Sequence, residues 1–172
     1  MAISQKEHTP VEFFAEGYRL SGSFDARRAS LGDALYDATS EFVVLREAYI
    51  SVIDRPAEIL TNYPVALVTK WSVAFALTTD QDLALRHDQK FSPYQRPKTR
   101  HLHVIVPFFE VTGDLRMPGH VDPRLMFKTQ KESFVTLLDV TARSTSDPSV
   151  SYQGGAALVN TSKISFVGLK SL

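Results

Sequence analysis

Two stretches decide the fold: ALVTKWSVAFA at Ala66–Ala76 and ALVNTSKISFV at Ala157–Val167, the same apolar pattern 91 positions apart. Leu67 answers to Leu158, Val73 to Ile164 and Phe75 to Phe166. Working outward, YRLSGSF (18–24) matches FEVTGDL (109–115) at the same spacing, with Gly22 on Gly113. FVVLREAYIS (42–51) matches FVTLLDVTAR (134–143) at 92, so one residue was gained in between. Three blocks in one order, with apolar positions kept, mark an internal duplication.

Each copy has the same grammar. Its first strand alternates, with Tyr18, Leu20, Gly22 and Phe24 on one face and Arg19, Ser21 and Ser23 on the other. That period of two reads as a half-buried strand. A short helix follows, capped by Ser30 in the first copy and by Asp122 with Pro123 in the second. Small polar side chains accept from the free N–H groups of a first turn, and proline tolerates the first helical position. A long strand follows, Phe42–Ile53 and Phe134–Arg143; at ten residues or more a bend or bulge is expected. Loops rich in Pro, Asp, Asn and Gly lead to a closing strand pair broken at Lys70 and Ser72. Expected core residues are Phe42, Leu67, Val73 and Phe75, with Phe134, Leu158, Ile164 and Phe166 in the second copy.

The order of elements resembles the Sm-like small-barrel fold. VALVTKWSVAFAL and AALVNTSKISFVGL look like its closing strand, polar break and final strand, and EFVVLREAYISVI like the long bent strands before them. The first copy is also similar to an uncharacterised class of bacterial small-barrel domains, through Tyr18, Gly22, Asp33, Leu35, Phe42, Val43, Leu45 and Ala48. The second copy departs from that pattern at its helix and at Val140, which stands where the first has Ala48. The resemblance implies a mainly β chain of two tandem Sm-like β-barrel repeats, each with one short helix. The repeats span 1–77 and 104–172, with a basic connector at 78–103. It also implies assembly by strand pairing into rings, hence a homo-oligomer. Sm-like proteins bind RNA near the closing break, which here offers Lys70 and Asn160.

Composition narrows the function. The 172 residues carry 19 Lys and Arg against 19 Asp and Glu, so no global field draws the chain to nucleic acid or anionic lipid. There is no cysteine, which removes disulfides, thiolate nucleophiles and cysteine-based zinc sites. MAISQKEHTP has neither the basic nor the apolar region of a signal peptide, and no apolar run reaches the roughly 20 residues of a membrane span. The expectation is a cytoplasmic protein with no membrane contact. No phosphate loop, dinucleotide fingerprint, nucleophile elbow or metalloprotease helix is present, so no cofactor and no catalysis are expected.

One stretch departs from neutrality. Between Arg86 and His103, Arg86, Lys90, Arg96, Lys98 and Arg100 face a lone Asp88, interleaved with Phe91 and Tyr94. Such a patch suits single-stranded nucleic acid, and it equally suits a solvated linker. His101 and His103 fall on one strand face, where His120 or Asp122 could complete a metal site. The expected function is a non-enzymatic scaffold or adaptor acting through self-assembly or a protein partner. The alternative is an RNA or single-stranded nucleic-acid binder using Lys70, Arg86, Lys90, Tyr94, Arg96, Lys98, Arg100 and Asn160.

Overall fold

The structure is a computed structural model that describes residues 8–89, 97–118, 122–128 and 134–170. In the first half of the chain, β1 (His8–Ala15) turns into β2 (Tyr18–Asp25), and helix α1 (Leu31–Tyr36) leads into β3 (Phe42–Val52) and β4 (Ile59–Thr69). A 3-10 turn, Lys70–Ser72, then redirects the chain into β5 (Val73–Thr78). After helix α2 (Gln81–Ala84) and a second 3-10 turn (His87–Gln89), the pattern recurs. β6 (Pro97–Val106), β7 (Phe109–Pro118), α3 (Pro123–Lys128), β8 (Phe134–Ser144), β9 (Ser151–Asn160), a third 3-10 turn (Thr161–Lys163) and β10 (Phe166–Leu169) complete it.

All neighbouring strands are antiparallel, in one sheet of order β10-β6-β7-β8-β9-β5-β1-β2-β3-β4. The mainly β expectation therefore holds, with one open ten-stranded sheet as its form. The duplication is written in its registers. Ala15 pairs with Tyr18 as Val106 does with Phe109, Val43 with Val68 as Val135 does with Val159, and Phe75 with Phe14 as Phe166 does with Ile105. The expected bend in the long strands is present in both copies. The β2–β3 ladder slips between Ser21 and Ser23, and the β7–β8 ladder between Thr112 and Asp114. The long strands turn there through Glu47 (φ 48°) and Asp139 (φ 51°), equivalent residues in the left-handed region that non-glycine residues seldom adopt.

The strand β1 went unread in the sequence, as did most of β6. Residues 97–103, read there as connector, are the first seven residues of β6. β1 lacks a simple period because it is buried on both faces: Val11 and Phe13 enter one core, and Phe14 enters the other. β5 is buried along its whole length for the same reason. Each core is finished by the opposite half of the chain. Phe14, Phe75 and Leu77 join Leu102, Phe109 and Leu137, while Phe134, Leu138 and Leu158 join Leu31, Leu45 and Val73.

Half of the expected core is buried. Val73, Phe75, Phe134 and Leu158 are buried. Phe42, Leu67 and Phe166 are not, and Ile164 is only half-buried. Leu67 is 61% exposed whereas its counterpart Leu158 is 2% exposed. The residue type is the same and the pattern is the same; what differs is that β5 lies across β9 and, among the described residues, no strand lies across β4.

The two halves are also pinned at their hairpin ends. Ser144 Oγ and Ser146 Oγ each donate to the Asp54 carboxylate at 2.6 Å, and Tyr152 Oη donates to the Ile53 carbonyl at 2.7 Å. The two serine hydroxyls hold the Asp54 pKa below the usual carboxylate value. Stability from this pin is present above the unfolded carboxylate pKa and is lost as pH falls through the lowered folded value. Denaturant midpoints of the parent and Asp54→Asn should therefore differ at neutral pH and converge in strong acid. A gap that persists unchanged in acid would remove the charge from the explanation.

Candidate functional site

The geometry separates the candidate residues rather than gathering them. Asn160 is buried; its Nδ2 donates to the Val73 carbonyl at 2.9 Å, and its Oδ1 accepts from the Ser162 N–H at 3.0 Å. It ties β9 to β5 and caps the turn after it, so it does not present a nucleic-acid contact. Arg86 is also no surface charge. It is buried, with its guanidinium 4.2 Å from the centre of the Tyr36 ring on α1. Lys70 donates from Nζ to the Asp37 carbonyl at 2.7 Å, and burial lowers its pKa against the opposing charge of Asp37. Lys98 is exposed and Arg100 half-buried on β6. Lys90, Phe91, Tyr94, Arg96 and His120 lie outside the described residues.

The histidine pair is on one face, as expected. His101 Nδ1 lies 2.9 Å from Asp114 Oδ1, and His103 Nε2 lies 3.9 Å from Glu110, which also pairs with Arg143. Asp122 is held by Arg124 at its own helix start. Among the described residues no group of three or more His, Asp or Glu side chains could hold a metal ion. An open cleft of about 590 Å³ lies between α1 and β3, lined by Phe24, Asp25, Asp37, Phe42 and Arg46 among others. Its carboxylates are already engaged: Asp25 by Arg27, which holds it well below the usual range, Asp33 by the Ser30 hydroxyl, and Asp37 by Thr39.

Two features remain unsatisfied. The first is Trp71, 69% exposed on the 3-10 turn before β5, with Lys163 Nζ 5.9 Å from its ring centre. These two turns are neighbours because β5 and β9 pair. Sequence reasoning set Trp71 on the apolar face of the closing strand with Val73 and Phe75; the available signal was that the chain's single tryptophan follows Lys70 in the polar break.

The second is larger. β4 is an outer strand of the sheet, and Ile59, Leu60, Tyr63, Val65 and Leu67 along it are all exposed. Phe42 and Val44 on the adjoining strand β3 extend the patch, and the opposite edge, β10, exposes Phe166. An uncovered edge with a row of large apolar side chains is a template for another strand. Pro64 is the one interruption, since it brings no N–H to the edge.

The internal junction shows what such an edge accepts. β5 lies on β9 with Phe75 opposite Val159, Ala76 opposite Leu158, Leu77 opposite Ala157 and Thr78 opposite Ala156. Beyond this ladder Gln81 Nε2 donates to the Gly155 carbonyl and to Asp139, each at 3.1 Å. Glycines let the strands close: a Cβ on Gly154 would stand 2.6 Å from the Leu77 side chain, and one on Gly155 would run into the Thr79 carbonyl.

No protein-family model, curated protein or solved structure matches this chain. No helix among the described residues is long and apolar enough to cross a membrane, which leaves strand-based insertion unaddressed.

Proposed function

We propose that the chain is a non-enzymatic scaffold or adaptor that works by self-assembly or protein contact at its sheet edges. In this reading its halves are tandem Sm-like small barrels that share one sheet. The observation that carries it is the exposed apolar row on β4, the first-half counterpart of β9, an edge that the chain itself covers with β5. Static light scattering at micromolar concentration tests it. The expected mass is a multiple of the 19.2 kDa chain. Leu67→Glu places a charge in the contact and should return the mass to one chain without unfolding it. A parent protein that scatters as one chain overturns self-assembly.

Trp71 beside Lys163 and Lys70 favours a second reading, binding of single-stranded nucleic acid by stacking. It has less support because Asn160 and Arg86 are taken up in packing. Retention on heparin that collapses with added salt would carry it.

A further inference from the structure

The duplication leaves one junction unmade. β9 is the second-half copy of β4, and β10 is the second-half copy of β5. β5 sits on β9 within the chain, whereas β4 and β10 are the two open edges. We propose that β4 of one chain takes β10 of a second copy, in the register obtained by moving the internal ladder back one repeat. Phe166 then faces Val68, Val167 faces Leu67, Gly168 faces Ala66, and Leu169 faces Val65. This rests on the self-assembly reading and deepens it: the occupant, the strand and the register are fixed, and the contact is head-to-tail.

Side-chain sizes at the two junctions are reversed, and this points to β10 as the occupant. Inside the chain a large residue of the arriving strand, Leu77, lies over a glycine of the receiving strand, Gly154. At the equivalent places β10 has Gly168 and β4 has Tyr63, which is 52% exposed. The Tyr63 ring has room only over a strand with no side chain there. Leu77 on β4 would collide with Tyr63, and Gly168 on β9 would leave a hole over Gly154. Each edge therefore refuses the wrong partner as well as accepting the right one. Pro64, which replaces Gly155, stops the new ladder at Val65, where the β5–β9 ladder stops at Ala156.

A second contact follows from the same equivalence. α1 packs on β8, and its Leu31 and Leu35 share a core with Phe134. Phe42, the copy of Phe134, is 43% exposed, and α3 is the copy of α1. Head-to-tail docking brings α3 of one chain over Phe42 of the next. Neither edge is used twice, so the contact is heterologous and propagates until it closes as a ring or continues as a filament.

The chain has no cysteine, so introduced pairs report contacts without background. Leu67→Cys and Val167→Cys are made in separate full-length chains and oxidised alone and mixed. Disulfide dimers are expected in the mixture and not in either variant alone, because bridging needs Cα atoms within about 7 Å. Gly168→Leu should weaken association about tenfold or more while leaving the fold intact, and adding Tyr63→Gly should restore it by copying the internal pair. Cross-linking of either variant with itself, or an unchanged mass for Gly168→Leu, overturns the head-to-tail register. If the parent scatters above one chain in that case, self-assembly stands and only this junction falls; a single-chain parent mass removes both.

Discussion

Phe75→Ala lowers the unfolding free energy by about 3–5 kcal/mol in chemical denaturation, the range for truncating a fully buried aromatic. Phe75 is fully buried on β5, where the two halves of the sheet join. Its ring stacks on Phe14 with centroids 4.5 Å apart and meets Phe109 edge-on at 5.0 Å. Those neighbours come from both copies of the repeat, so the cavity cannot close by moving one side chain. Aromatic pairs also contribute beyond the area they bury. The internal control is Phe166→Ala, the same place in the second copy. Phe166 is half exposed on an open edge, and its loss should cost the monomer under about 1 kcal/mol. Equal losses at both positions would show that β5 is no more covered than β10, contrary to the strand order.

Gly155→Ala is the second large effect. It adds a single methyl group, yet that carbon would run into the Thr79 carbonyl just beyond the end of β5. The Cβ position is fixed by the backbone and the carbonyl is itself backbone, so no rotamer change relieves the contact. β9 or the segment after β5 must shift, and with it the bonds from Gln81 to Gly155 and Asp139. Overpacking of this kind costs about 1–3 kcal/mol, and the upper end is expected where nothing flexible can yield. Thermal or denaturant unfolding followed by near-ultraviolet circular dichroism reads it, with altered aromatic signal because Phe75 and Tyr152 border the junction. A loss under half a kcal/mol would mean that the strands stand further apart than this geometry has them.

The duplication, the two capped helices, the bent long strands and the broken closing pair are legible in the residues alone. Those are local properties: alternation, caps and turn residues act over a few positions and are the same in both copies. Ser30 accepts from the Asp33 N–H at 3.0 Å as its place before an apolar run required. The fate of each apolar face was a different matter. Leu67 and Leu158 sit in matching words, ALVT and ALVN, and no pattern within either word separates the exposed one from the buried one. Burial depends on which strand arrives from elsewhere in the chain, and β5 arrives at β9 from residues about 80 positions away. The same is true of charge and polarity. Arg86 and Asn160 read as surface contacts by type, but α1 folds over the one and β5 lies against the other. These outcomes follow from long-range packing, because a residue's own chemistry fixes what it can pair with, and the chain's topology fixes what is brought within reach.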